Sequence, residues 1–188
     1  MAYFTETELQ KLGFRSLGKN IKISDKASIY NPEMIDIGDN SRIDDFCVIS
    51  GNLKIGRNVH ITAHCLVAGG EKGIIFNDFS ALAYGVKVFS QSDDYSGIYM
   101  TNPTVPSFFT KITKREVSIG RHVIVGANVV ILPGSVIMDG VSIGACSLVM
   151  GRLKAWNIYQ GNPATLKRER SKNLLDLEQK YLEQCGEN

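Results

Sequence analysis

The stretch "IGRHVIVGANVVILPGSVIMDGVSIGACSLVM", residues 119–150, decides the fold, because it counts in sixes. Branched residues fall at Ile119, Val125, Ile131, Ile137, Ile143 and Val149 without a slip. A helix repeats its apolar face every 3.6 residues and a half-buried strand every second residue, so neither produces this register. Two residues ahead of most of these positions sits a second small or β-branched side chain: Val123, Val129, Ser135, Val141, Ser147. Glycine follows directly at Gly120, Gly126 and Gly144. The economical path is a short strand, a corner and another short strand, wound as a prism with the branched residues stacked inside.

Outward from that stretch the count persists, and an internal repeat governs the whole reading. It runs through Ile37, Ile43, Ile49, Ile55, Ile61 and Val67, and after "GGEKG" resumes at Phe76, Leu82 and Val88. Ile23 and Ile29 extend it upstream. Asn or Asp follows glycine in "IGDN" and "IGRN", residue types that tolerate the left-handed backbone of a tight corner. Eighteen residues make one coil, which would seat Cys47 against Cys65 as two buried small hydrophobes. The count stops at "FSQSDDYSGIYMTNPTVPSFF", residues 89–109, and returns only at Ile119. A break of that length is functional or disordered in most domains, and its aromatics and prolines favour an ordered arm lying on a partner.

Composition narrows the classes. The chain has 188 residues, 44% hydrophobic, with 21 basic and 19 acidic side chains for a net charge of +2. Such a balance argues against disorder and leaves no footprint for nucleic acid. No apolar run approaches the ~18 residues of a membrane span. The opening "MAYFTETEL" carries acids where an export signal needs bases, and the four cysteines show no CxxC pairing. Reduced thiols in the cytoplasm are the expectation. Thr5 with Glu8 predicts a capping box and Gly13 a stop for an N-terminal helix. "ATLKRERSKNLLDLEQKYLEQ" puts Leu174, Leu177 and Tyr181 on one helical face. The expected organisation is a helix and lead-in over 1–20, a solenoid over 21–163 with a loop at 89–118, and a C-terminal helix over 164–188.

The repeat resembles the hexapeptide-repeat, left-handed parallel β-helix family over roughly residues 21–163. That resemblance implies an acyltransferase using acetyl-CoA or a related thioester, built as a homotrimer with active sites between neighbouring prisms. The closing segment, through "GNPA" at 161–164, is similar to galactoside and maltose acetyltransferases and their polysaccharide-modifying relatives. By that likeness Gly126, Ala127 and Ala145 would line the pantetheine path, and Pro163 the nucleotide end. Lys167 and Arg168, with Arg170, would meet the CoA phosphates as charge-assisted donors. A solvated helix face is the plain alternative for that basic run.

Acyl transfer needs a nucleophile, a group to take its proton, and donors for the oxyanion. The relatives' loop histidine falls on Asp93, and no histidine occurs in residues 65–121. Their substrate-binding asparagine falls on His64. His64 is therefore the first candidate base, with Asp93 or Asp94 orienting the imidazole as a carboxylate does in a triad. Alternatively, His64 replaces a corner asparagine, and the Asp pair in "SDDYSG" bonds its own turn. Asp94 and Tyr95 are candidate contacts for a sugar, as is Asp45 from the coil below His64. His60 is expected on an outer wall and His122 at a corner. Two rivals remain: a three-histidine zinc enzyme on the same prism, and a non-catalytic scaffold or sugar-binding protein. No metal is expected in the chemistry. The missing loop histidine separates the chain from the galactoside, maltose and antibiotic enzymes, and leaves a sugar or nucleotide-linked sugar, for a surface polysaccharide, as the acceptor.

Overall fold

In the computed structural model, which describes residues 2–185, the count in sixes becomes a left-handed parallel β-helix of about seven coils with two short helices. Each strand is only two to five residues long, so the chain turns a corner before a sheet can widen. The first wall holds seven strands, from Ser16–Leu17 to Arg152–Leu153. The second runs from Lys22–Ile23 to Asn157–Gln160, and the third holds six strands from Ser28–Tyr30 to Leu148–Val149. Coil sits on coil in register: Ile43 pairs with Ile61, Ile61 with Leu82, Leu82 with Val125 and Val125 with Ile143. These inward side chains are fully buried, and each contributes about 1.5–3 kcal/mol by leaving water.

The corners carry left-handed backbone, as the asparagines predict. Between the first and second walls stand Asn40, Asn58, Phe79, His122, Gly140 and Trp156, all at positive φ. Between the second and third stand Phe46, His64, Gly85, Asn128 and Cys146. Positive φ is uncommon for aromatic residues, and here stacking compensates. Phe46 lies on His64 with centroids 5.1 Å apart, and Phe79 on His122 at 5.2 Å, close to the ~4.8 Å spacing of paired strands. Surplus residues gather at the third corner, between the third and first walls. There lie the turn Pro32–Met34, the insert 69–73 and the arm between Phe89 and Val117.

Cys47 and Cys65 are buried, free thiols, donating to the carbonyls of Thr62 at 3.1 Å and Ala83 at 3.2 Å. Its bond to Cys65, and then burial, push the Cys47 thiol up, so it stays protonated. Cys146 is exposed and free, and the side chain of Cys185 lies outside the described residues.

Both ends are closed. Helix α1 (Glu6–Leu12) has the reciprocal Thr5–Glu8 cap and ends at Gly13, φ 77°; its Leu9 is buried against the first coils. Strand pairing already begins at Ser16–Leu17, a little before the expected solenoid boundary. At the other end the expected helix over 164–188 is shorter. Thr165–Glu169 is a strand, antiparallel to Asn157–Gln160, and helix α2 spans Leu174–Cys185. The last coil leaves an open edge, and this return strand pairs with it. Lys167 and Arg168 thus lie on a strand and not on a helix.

Helix α2 folds back over the first corner. Tyr181 meets Phe79 edge-on at 5.9 Å and accepts a bond from Asn58 Nδ2 at 3.0 Å. Glu178 takes His122 Nε2 at 2.8 Å and the Arg121 guanidinium. Arg170 donates to the carbonyls of His122 and Gly140 at 2.7 and 3.0 Å, and burial lowers its pKa. Among the described residues no helix is long and apolar enough to cross a membrane.

Two substitutions test this packing in urea. Ile131→Ala, at a wholly buried position, is expected to lower the unfolding free energy by about 2–5 kcal/mol. At Gly126 a Cβ would stand 2.6 Å from the Ala145 backbone nitrogen, so Gly126→Ala is expected to cost about 1–3 kcal/mol by forcing two coils apart.

Candidate active site

One edge of the prism collects most of the residues singled out above. The corner between the second and third walls carries Asp45 and His64 in adjacent coils, then, beyond the coil of Gly85, Gly126 with Ala127 and Ala145 in the next two. The turn Gly161–Pro163 continues it at the end, where the Gly161 carbonyl accepts from Leu148 N at 3.0 Å and Ala164 N donates to Leu148 O at 2.8 Å. Lys167 and Arg168, both exposed, follow on the return strand beside it. Coil packing alone accounts for glycine at 126, while Ala127 and Ala145 leave the edge low and open.

His64 is exposed on this edge, held from below by the Phe46 ring. Asp45 points the other way. Its carboxylate accepts from Ser24 Oγ and lies 3.9 Å from Lys26 Nζ, so it serves the first coil rather than the space around His64. His60 stands on the second wall, as expected, with Nε2 2.9 Å from the buried Asp44 carboxylate, which also takes Arg42 Nε at 2.6 Å. His122 lies at the other corner, beneath α2. The three histidines therefore occupy one wall and two separate corners.

The arm leaves from the third corner. Gln91–Asp93 pairs antiparallel with Ile112–Lys114, making a two-stranded stem. The insert of the preceding coil braces that stem: Lys114 Nζ meets Glu71 at 2.6 Å, and the buried Ser90 hydroxyl donates to Gly69 O. Asp93 Oδ2 accepts the Asn102 amide at 3.2 Å, and Asp94 Oδ2 accepts Ser96 Oγ at 2.5 Å. Both acids thus bond within the arm, Asp93 across nine residues to a backbone amide and Asp94 to a neighbouring hydroxyl. They also line open space. A cleft of about 530 Å³ lies between the arm and the third wall, bounded by Asp93, Tyr95, Phe89, Val130 and Leu132. A second, of about 650 Å³, lies within the arm along Asp93, Asp94, Tyr95 and Tyr99.

Within one chain the structure does not bring His64 to Asp93. They sit at opposite margins of the third wall, separated by the breadth of a three-residue strand, roughly 10 Å at 3.3 Å per residue. The triad-like pairing expected between them is not made inside the protomer. Sequence reasoning missed the Phe46 platform under His64 and the Asp44–Arg42–His60 cluster. The first was readable from the eighteen-residue step between Phe46 and His64. The second needed the knowledge that Arg42 and His60 pair across the second wall.

Comparison with known proteins agrees with this geometry. The family described as "Bacterial transferase hexapeptide (six repeats)" matches at residues 35–69 and 116–151. A dTDP-4-amino-4,6-dideoxy-D-glucose acyltransferase from Escherichia coli is 43% identical over 181 residues, covering 95% of this chain and 94% of that protein. The crystal structure of AntD, an N-acyltransferase from Bacillus cereus in complex with dTDP and 3-hydroxybutyryl-CoA, superposes with a TM-score of 0.96 at 41% identity, covering 98% of each chain. A maltose O-acetyltransferase from Clostridium difficile 630 shares the fold, with a TM-score of 0.56 at 21% identity over 89% of this chain and 75% of its own. The chain belongs to the hexapeptide-repeat acyltransferases, enzymes that take their acyl group from a CoA thioester.

Proposed function

We propose that this enzyme N-acylates an amino sugar carried on thymidine diphosphate, for use in a surface polysaccharide. The observation that carries the reading is Asp93 on the cleft wall, where the O-acetylating relatives' histidine is expected. An amine is already a good nucleophile and needs only a group to receive its proton, so a carboxylate suffices where a hydroxyl would call for an imidazole. The nearly full-length likeness to an acyltransferase of a dTDP-amino sugar, and to one whose structures hold dTDP and acyl-CoA, supports the same acceptor. Structures of that second protein include two substitutions of a single aspartate.

In this reading the acyl donor lies along the edge of Gly126, Ala127 and Ala145. The nucleotide phosphates of CoA lie toward Pro163, Lys167 and Arg168, and the acceptor sits against Asp93, Asp94 and Tyr95. The amine attacks the thioester carbonyl, a C–N bond forms as the C–S bond breaks, and Asp93 takes the proton from nitrogen. The departing thiolate takes up that proton from Asp93 or solvent, so CoA leaves as the thiol and the carboxylate is restored. His64 faces the thioester from the donor edge.

Because edge and arm are apart in one chain, the site is completed by a second copy, in a homotrimer located in the cytoplasm with its CoA supply. The arm's surface supports this. Tyr95, Ile98, Met100 and Phe108 are exposed there, and Tyr30, Val48 and Met150 are exposed on the third wall. Contiguous apolar surface of this kind marks an interface.

The direct test mixes the protein with acetyl-CoA and dTDP-4-amino-4,6-dideoxyglucose and follows free thiol and acetylated product by mass. Absence of turnover with any short acyl-CoA would overturn the acceptor. Asp93→Asn is expected to lower kcat by about 10²–10⁴ with CoA binding intact. His64→Ala is expected to lower kcat as well, and a loss under about tenfold would exclude it from proton transfer. Light scattering is expected to give about three times the chain mass of 20.7 kDa; a monomer with full activity would refute the shared site.

A further inference from the structure

The third wall presents one column of outward side chains in strict register, coil by coil: Ser28, Val48, Leu66, Lys87, Val130, Leu148. The parallel outward row, which includes Tyr30, Ala68, Phe89 and Leu132, carries no charge either. Lys87 is thus the one charged side chain on a wall otherwise apolar or small, among the described residues. It is exposed, its Nζ donates to Gly85 O at 3.2 Å, and no carboxylate pairs with it among the described residues. Gly85 is the corner residue of the coil stacked directly on the His64 coil, its amide donating to Ala63 O at 3.2 Å. The ammonium therefore rests at the donor-edge margin of the wall, on a long stem that can swing toward the first cleft, and two of its three protons remain free.

The two clefts of the arm, the first of which reaches this wall, have the opposite problem. Their linings include Asp93 and Asp94 and no lysine or arginine. Two of the arm's cations are engaged nearby, Lys114 with Glu71 and Lys111 at 5.1 Å from the Tyr99 ring centre, while Arg115 packs its aliphatic stem at Gly134 on the third corner. A nucleotide sugar brings a diphosphate into this acidic space, and dianions are not held beside carboxylates without a cation to offset them. Phe89 and Val130, two of the wall residues of the first cleft, are the chain neighbour two residues on and the cross-strand partner of Lys87. Seating a second copy on the wall strips water from the ammonium, which raises the demand for a bound anion further.

We infer that Lys87 is the anchor for the diphosphate of the nucleotide-linked acceptor. The inference rests on the nucleotide-sugar reading above and adds the residue that selects a nucleotide-linked sugar over a free one. The apolar stem lies on the wall beside Leu66 and Val130, while the head bonds the phosphate oxygens as a charge-assisted donor.

Calorimetric titration of the full-length protein with dTDP and, separately, with CoA tests it. Lys87→Met keeps the stem and removes the charge. It is expected to weaken dTDP binding by about tenfold or more, to leave CoA binding unchanged, and to keep the oligomeric mass of the wild type. Lys87→Arg is expected to retain most of the dTDP affinity. Unchanged dTDP affinity in Lys87→Met overturns the inference. So does a loss confined to CoA, which would give the ammonium to the donor's phosphates. A drop in oligomeric mass would also overturn it, by pairing the ammonium with a carboxylate of the second copy. Wild-type protein that binds CoA but not dTDP would instead sink the nucleotide-acceptor reading itself.

Discussion

Everything in this molecule depends on the vertical spacing of one coil upon the next. Backbone bonds between coils hold them about 4.8 Å apart, and a branched side chain at every sixth residue fills the interior at that pitch. Glycine stands where the next coil leaves no room for a Cβ, as at Gly126 beside the Ala145 nitrogen. The same spacing stacks the corner rings, so Phe46 supports His64 and Phe79 supports His122. A solenoid built this way has no choice about which residues become neighbours; counting along the chain determines them. Stability follows the same one-dimensional logic, each coil resting on the two beside it.

The ends and the arm are where this regularity meets other forces. At the far end the backbone groups of Asn157–Gln160 would face water, and Thr165–Glu169 turns back to pair with them. Helix α2 then closes the corner that holds the Phe79–His122 stack, supplying a tyrosine edge and a carboxylate. The corner with Phe46 and His64 is built the same way and stays open, on the edge proposed to take the acyl donor.

How much of this could be read beforehand follows from the physics of each part. Ile119 to Val149 announced the prism because burial inside a narrow solenoid admits one kind of side chain at a fixed step. The corner asparagines announced the left-handed backbone. The strand at Thr165–Glu169 was not readable: "TLKRE" fits a helix by propensity, and the pairing that makes it a strand belongs to the last coil's open edge. The separation of His64 from Asp93 was present in the count, since His64 follows Ile61 and the arm follows Val88, one full side of the prism later. Lys87 was equally countable, as the charged residue in an outward column of apolar ones. Its meaning emerged only when the acidic clefts of the arm were known.

Among the described residues, the third corner is where the coil admits extra residues, from the short turn at Pro32–Met34 to the whole arm. The donor edge lies across the wall from it and tolerates none. An arm at this corner can thus be lengthened, shortened or rewritten without disturbing the edge on the far side of the wall. A highly repetitive fold is, for that reason, well suited to varying what one of its corners recognises.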